Sequence, residues 1–190
     1  MNWPTVKLGD LILSDKGGAS LKRDQFTEEG KVVLPKKAVS SNYDIDITTF
    51  SYTSDEIFEL NSQAVIDNSY LVTTLRDLVP TGPNLGRICQ IKENGEFLLA
   101  QGLFGFQLKE GVHPKYIAYI SGSPEFRSQV MKIKVGSTQV HARASEYKKI
   151  EFPLPPLAEQ KRIAAILDKA DNLRRKRQQA IKLADEFLRA

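Results

Sequence analysis

The sequence predicts an α+β fold, in which a mixed domain of short strands and helices is followed by a long C-terminal coiled-coil-type helix. Three observations support this prediction. Short runs rich in β-branched and aromatic residues alternate with glycine, proline and asparagine through the first half of the chain. Two later segments begin with proline, which favours the first turn of a helix. Residues 157–190 contain neither glycine nor proline, so nothing there interrupts a helix.

The individual elements follow from local patterns. Runs that predict strands or extended edges occupy residues 31–34, 45–50, 69–74, 88–92, 96–100, 103–108 and 147–152. Asn94-Gly95 is the best hairpin turn in the chain, so the two runs that flank it are predicted to pair. Residues 114–120 and 124–133 predict two short helices. The chain therefore divides into a mixed domain at residues 1–153 and a long helix at 154–190.

The C-terminal helix carries an apolar stripe. From residue 157 it is roughly 50 Å long at the standard helical rise, so it needs a partner along its side. A heptad frame that starts at Ile163 gives a seam wider than a strict two-stranded one. The seam and its neighbouring row comprise Ile163, Ile166, Leu167, Ala170, Leu173, Arg177, Ala180, Ile181, Ala184 and Phe187. The helix could dock on its own domain, but its length favours a helix that projects and pairs between chains.

Composition places the chain among soluble globular proteins. Its hydrophobic content is 41% and its charged content 26%, both ordinary values. A single cysteine, Cys89, excludes an internal disulfide framework and fits a reducing cytoplasm. No run of eighteen apolar residues predicts a membrane span. We therefore expect a cytoplasmic protein in which Cys89 is a buried structural thiol.

The net charge of +4 is unevenly distributed. Residues 16–37 and 127–149 are basic, whereas residues 44–67 carry six acidic side chains and no lysine or arginine. Such an arrangement predicts a polarised surface that attracts phosphate, although both signs could also be interspersed over an ordinary surface. The run Arg174-Arg175-Lys176-Arg177 is open to the same two interpretations, a nucleic-acid patch or a solvated helix face.

Signatures of catalysis are missing from the sequence. Gly82 and Gly86 are not followed by the Lys-Ser/Thr of a phosphate-binding loop. No strand leads into a Gly-x-Gly-x-x-Gly turn, so no dinucleotide or S-adenosylmethionine site is evident. His113 and His141 are isolated, and with one cysteine they do not form a recognisable zinc site. The sequence therefore predicts a binding module with no catalytic residues and no metal.

One stretch carries a resemblance to a known family. Residues 152–163, Phe-Pro-Leu-Pro-Pro-Leu-Ala-Glu-Gln-Lys-Arg-Ile, resemble the signature that follows a target recognition domain in the DNA specificity subunits of type I restriction–modification systems. Further similarities, in the family's order, are Trp3 with Val6-Lys-Leu-Gly-Asp-Leu11, Asp77 with Gly82 and Gly86, Pro114-x-Tyr-Ile-Ala-Tyr119, and Gly136-Ser-Thr-Gln139. The resemblance covers essentially the whole chain and is loosest at residues 17–67.

The resemblance implies a DNA reader that does no chemistry itself. Such subunits direct two adenine-N6 methyltransferase subunits, and a restriction subunit that is an ATP-driven motor and nuclease, to a split DNA target. S-adenosylmethionine, ATP and Mg are then expected on those partners and not on this chain. The chain has one target recognition domain and one conserved helix where typical members have two of each, so it resembles either a natural half-length form or a fragment of a longer subunit. We therefore expect a homodimer through the C-terminal helices, which would read an inverted repeat with a fixed gap.

Candidate DNA contacts are basic, amide and hydroxyl side chains, since these bind phosphates and base edges. They lie in the first basic stretch, around the glycine loop and in a later loop: Lys22, Arg23, Lys36, Lys37, Arg76, Asn84, Arg87, Ser137, Thr138 and Gln139. Each could equally be an ordinary surface residue. The rival hypothesis for the whole chain is a coiled-coil interaction or scaffold protein without DNA specificity.

Overall fold

The computed structural model describes residues 3–189, which form a mixed domain and a long C-terminal helix. The strands are β1 (Thr5–Lys7), β2 (Ile12–Gly17), β3 (Phe26–Thr27), β4 (Lys31–Leu34), β5 (Ser51–Thr53), β6 (Val65–Asp67), β7 (Leu71–Thr74), β8 (Arg76–Asp77), β9 (Ile88–Gln90), β10 (Glu96–Leu99), β11 (Leu103–Leu108), β12 (Val140–His141) and β13 (Glu151–Pro153). The helices are α1 (Asp55–Leu60), α2 (Pro114–Ile120), α3 (Pro124–Ile133), α4 (Ala144–Tyr147) and α5 (Leu157–Arg189). The predicted α+β class is confirmed.

Two sheets are stacked at the centre of the domain. One has the order β3-β5-β4-β10-β6 and the other the order β2-β11-β7-β9. Successive side chains of β10 point to opposite faces of its sheet. Phe97 and Leu99 pack between the two sheets, whereas Leu98 packs on the other face with Phe58 of α1. The second sheet is covered on its other face by α2, α3 and α4. All four residues of β7 are therefore buried, as expected for a strand between two covered faces.

The predicted hairpin at Asn94-Gly95 is wrong. Strand β9 pairs with β7 in one sheet, and β10 pairs with β4 and β6 in the other. The turn therefore connects the two layers instead of joining neighbouring strands. The Asn-Gly signal depends only on neighbouring residues, but the strands that pair with β9 and β10 lie further away along the chain.

No residue of the strand or extended edge predicted at 45–50 lies in a strand, although the backbone of Asp46 is extended. A 3-10 turn occupies Ile47–Thr49. The carboxylate of Asp46 accepts a hydrogen bond of 3.0 Å from the Thr48 backbone N–H. This local bond competes with strand pairing, and extended structure resumes only at β5. Residues 147–152 similarly divide between the end of α4 and β13.

Helix α5 is joined to the domain by a buried amide. Gln160 is only 1% exposed. Its Oε1 accepts a hydrogen bond of 2.8 Å from the His113 N–H, immediately before α2. Its Nε2 donates to the carbonyls of Gly111 at 3.2 Å and Pro155 at 2.8 Å. The glutamine of the proline-rich stretch therefore ties the first turn of α5 to the segment that starts α2.

A network of charged side chains extends this attachment. The Lys115 Nζ on α2 lies 3.3 Å from an Asp168 carboxylate oxygen on α5 and 3.2 Å from one of Asp44. Arg175 Nε donates to Asp171 at 2.8 Å, and a guanidinium nitrogen of Arg175 lies 3.9 Å from Asp44. These contacts hold α5 against the domain as far as Arg175. We call this set of residues the helix clamp.

Two carboxylates of the helix clamp, Asp168 and Asp171, have a lowered pKa. Burial alone would raise the pKa of Asp171, but hydrogen bonds from Arg174 and Arg175 outweigh burial and lower the pKa. Burial of Asp168 is likewise outweighed by hydrogen bonds from Tyr119 and Lys115, and its pKa is lowered. A lowered folded-state pKa stabilises the fold above the unfolded value, which is about 4, and this stabilisation is lost as the pH falls further.

The docked face of α5 is not the apolar seam. Successive helical residues are about 100° apart, which places Ala164, Asp171 and Arg175, the side that meets the domain, roughly opposite Ile166 and Leu173. Ile166 is 52% exposed and Leu173 64% exposed. Of the predicted seam residues, Ile163 packs partly against the domain core, and the other nine are exposed. Docking on the domain and an exposed seam thus coexist on one helix.

No helix within residues 3–189 is both long enough and apolar enough to cross a membrane.

The buried Gln160 gives a direct test of how α5 is attached. Replacing it by leucine keeps a similar volume but leaves the His113 N–H and the Gly111 and Pro155 carbonyls without this partner. We expect Gln160→Leu to lower the free energy of unfolding by about 1–3 kcal/mol in urea titrations. Lys161→Leu, at the exposed neighbouring position, is the control and should change it by less than about 0.5 kcal/mol. Equal effects of the two substitutions would contradict the anchoring role of Gln160.

Candidate functional site

A cavity of about 420 Å³ opens on the domain surface and is lined by Lys36, Lys37, Arg76 and Asn84. Lys36 and Lys37 lie in the 3-10 turn that follows β4, and Arg76 lies in β8. Gly102 brings the cations together, because a Cβ built there would lie 3.0 Å from the Arg76 Cβ and 3.1 Å from the Lys36 Cδ. We call this set of residues the basic cavity. Four predicted contact residues from two separate stretches of the chain therefore share one concave surface.

The loop after β8 forms one wall of the basic cavity. The Asp77 carboxylate accepts hydrogen bonds from the backbone N–H groups of Val79 at 3.1 Å and Asn84 at 3.0 Å. Lys134 Nζ donates to the Pro80 carbonyl at 2.8 Å. The resemblance pointed to Asp77 as part of a motif, and its physical role here is to close the loop that carries Asn84.

The half-buried Arg127 on α3 supports this loop and was not found from the sequence. Its guanidinium donates to the carbonyl of Gly82 at 2.9 Å, to that of Pro83 at 3.3 Å and also to that of Leu85. Burial lowers the pKa of Arg127, and the nearby Arg87 lowers it further. The sequence does not indicate that this arginine binds the glycine loop, because the carbonyls of Gly82, Pro83 and Leu85 lie more than forty positions earlier.

The far end of the loop closes on Gly86. Its φ is +70°, in the left-handed region that favours glycine. A Cβ at this position would lie 2.9 Å from both Tyr147 Cε2 and Val130 Cγ2. The Tyr147 hydroxyl also donates to the Gly86 carbonyl at 2.8 Å. Backbone conformation and packing space therefore both require glycine here.

The later loop with Ser137, Thr138 and Gln139 lies beside the basic cavity. Backbone hydrogen bonds of 2.8 and 2.9 Å join Val135 and His141 across it, and β12 pairs with β8 so that His141 faces Arg76. The three predicted contact side chains are exposed. The structure thus places this loop next to the strand that carries Arg76.

Three predicted contact residues lie outside this group. Lys22 and Arg23 are exposed at the 3-10 turn before β3, on the edge of the five-stranded sheet. The Arg87 Nη1 would lie 2.9 Å from a Cβ built on Gly122, and Arg87 does not line the basic cavity. The ten predicted contacts therefore do not form one cluster.

Across the described residues, no group of three or more His, Cys, Asp or Glu side chains is arranged to hold a metal ion. His113 and His141 lie in different parts of the domain, before α2 and in β12. The Cys89 thiol is buried, and burial raises its pKa to about 12. The basic cavity combines the cations Lys36, Lys37 and Arg76 and the Asn84 amide with the apolar side chains of Leu78 and Val79.

Comparison with known proteins gives a consistent set of relatives. The family described as type I restriction modification DNA specificity domain matches residues 1–183. The chain is 27% identical over 173 residues to the type I restriction enzyme MjaVIII specificity subunit of Methanocaldococcus jannaschii, covering 90% of this chain and 40% of that protein. It is 25% identical over 179 residues to the putative type I restriction enzyme MjaX specificity subunit of the same organism, with the same coverage. The chain therefore spans about 40% of the length of these curated relatives.

Solved structures with the same fold are more distant in sequence. A chain in a study of complex assembly and conformational transition of the type I restriction–modification system has a TM-score of 0.69 at 20% identity, covering 96% of this chain and 42% of its own. The HsdS subunit from Thermoanaerobacter tengcongensis has a TM-score of 0.63 at 18% identity, covering 94% and 39%. At these identities the likeness concerns the fold.

Substitutions at Gly86 and Gly111 distinguish the cost of lost packing space from the cost of backbone strain. We expect Gly86→Ala to lower the free energy of unfolding by about 2–4 kcal/mol, since alanine adds strain at positive φ and overlap with Tyr147 and Val130. Gly111 has a φ of +83° but nothing within 4 Å of a Cβ, so Gly111→Ala should cost only the strain, about 1–2 kcal/mol. Urea denaturation measures both variants. Equal losses would contradict the packing of Gly86 on the core.

Proposed function

The chain belongs to the family of the type I restriction modification DNA specificity domain, and from this membership we propose that it is a sequence-specific DNA-binding subunit of a type I restriction–modification system. In that role it reads DNA and performs no catalysis itself. The observation that carries the proposal is the basic cavity, where Lys36, Lys37 and Arg76 lie together beside Asn84. Cations position a protein on phosphates, and amides read base edges.

The proposed partners follow from the family. The subunit would direct adenine-N6 methyltransferase subunits and a restriction subunit to a split DNA target in the cytoplasm. S-adenosylmethionine, ATP and Mg would be bound by those partners. The match of the family to residues 1–183 extends through most of α5, and it gives no support to the alternative of a scaffold protein without DNA specificity.

The DNA-binding surface proposed here has a centre and an outer part. The basic cavity and the adjoining loop with Ser137, Thr138 and Gln139 form its centre. Lys22, Arg23 and Arg87 stay predictions for contacts further out, because a DNA duplex is wide enough to meet more than one edge of a domain. The support for the centre is geometric: β8 carries Arg76 and pairs directly with β12 at the end of that loop.

A homodimer through α5 is the proposed way in which two readers are joined. The helix clamp occupies one face of α5, and the seam residues on the roughly opposite face are exposed, with Phe187 at 83%. Apolar residues at heptad spacing favour pairing of helices. A two-fold pair of identical readers would recognise an inverted repeat, with the helices setting the gap between its halves.

Binding to duplex DNA tests the basic cavity. We expect Arg76→Ala and Lys36→Ala to weaken binding to duplexes of unrelated sequence, since phosphate contacts are independent of sequence. Each lost phosphate contact should lower the slope of log affinity against log salt by about 0.9. Fluorescence anisotropy with a labelled duplex at several KCl concentrations measures both quantities.

Lys109 supplies the control for this measurement. It follows the end of β11 that is furthest from Arg76, roughly 20 Å away along the strand, and its Nζ donates to the Asp10 carbonyl at 2.7 Å. Lys109→Ala should leave affinity and salt slope unchanged. If the Arg76 and Lys36 variants behaved like the Lys109 variant, the basic cavity would not be the DNA-binding surface.

Self-association tests the helix pair. We expect the chain to be dimeric, and we expect Leu173→Glu to raise the dimer dissociation constant at least about tenfold, because it places a charge in the apolar seam. Leu13→Glu, at a position 67% exposed on β2, is the matched control and should not change it. Sedimentation equilibrium over a range of concentrations gives the constants. A wild-type chain that is monomeric throughout would exclude the homodimer.

A further inference from the structure

Two apolar side chains protrude beside the basic cavity without packing into a core. Leu78 is 61% exposed and Val79 is 47% exposed, and both line the cavity that Lys36 and Arg76 also line. Single exposed leucines are common on protein surfaces and mean little. Here, however, two adjacent ones follow the cation-bearing strand β8 directly, and cations lie beside them.

The backbone beneath these two residues is held firmly in place. Asp77 binds the Val79 N–H, Lys134 binds the Pro80 carbonyl, and Arg127 binds three carbonyls further along the same loop. These supports come from β8, from the residue after α3 and from α3 itself. Because these hydrogen bonds fix the loop, Leu78 and Val79 can contact a particular group of a bound ligand.

We infer that Leu78 and Val79 form an apolar reader that contacts the C5-methyl group of thymine in the major groove of the bound DNA. This inference rests on the proposed function and adds a determinant of sequence preference to it. The phosphates attract the lysines and arginine of the basic cavity, which bring the loop against the groove. The thymine methyl is the apolar group that base edges present in the major groove. An apolar pair flanked by phosphate-binding cations therefore matches thymine.

A competing role for exposed apolar side chains is a wedge that separates stacked bases. The two roles respond differently to removal of one methyl group. A wedge contacts the faces of the bases, which thymine and uracil share. A methyl reader loses its contact when thymine is replaced by uracil. This difference decides between the two roles.

The experiment first selects duplexes that bind the 190-residue chain from a library of random sequence. Each thymine of the selected sequence is then replaced singly by deoxyuridine, and the affinity is measured by fluorescence anisotropy. We expect about a fourfold loss of affinity at one or two positions, the effect of one buried methyl group. The same replacements are tested with a variant that carries both Leu78→Ser and Val79→Ser. This variant should bind thymine and uracil equally at those positions.

Leu60→Ser, at a position 71% exposed at the end of α1, is the control and should keep the wild-type discrimination. Equal binding of thymine and uracil by the wild-type chain, or a selected sequence without thymine, would overturn the inference alone. Discrimination that persists in the double variant would also overturn it. If no preferred sequence emerges from the library, the proposed function itself fails and the inference fails with it.

Discussion

The hydrogen bonds of the buried Gln160 amide fix where the long helix leaves the domain. One side chain in the first turn of α5 binds the backbone before α2 and the proline segment before α5. An amide at this point can satisfy both a donor and an acceptor, which neither a carboxylate nor a hydrocarbon can do. Once the first turn is fixed, the contacts of Lys115 with Asp168 and of Arg175 with Asp44 hold the following turns of the helix against the domain.

This attachment determines which face of the helix is free. Gln160, Ala164 and Asp171 of α5 meet the domain together with Ile163, whereas Ile166 and Leu173 remain exposed. The same domain carries the basic cavity on a loop that Asp77, Arg127 and Tyr147 hold in place. In the proposed dimer, a stiff connection from loop to helix would fix the distance between two DNA-reading surfaces.

Local signals allowed the helices to be predicted from the sequence, whereas contacts between distant segments could not be predicted from it. Proline at the start and the absence of glycine identified α2, α3 and α5. Strand pairing depends on distant partners, so the Asn94-Gly95 turn was misread as a hairpin. Lys36 and Arg76 were each predicted as contacts for their chemistry, but their proximity depends on the close approach of Gly102. Arg127 had no signal at all, since its role exists only once α3 packs against the glycine loop.

Genome-wide mapping of methylated adenines tests the central claim, that this chain selects the DNA sequence on which a partner methyltransferase acts. The chain would be co-expressed with a type I adenine-N6 methyltransferase subunit, in a host without other adenine methylation. We expect one shared motif, split into two halves that form an inverted repeat with a constant gap. Methylation without a common motif, or none that depends on this chain, would contradict it.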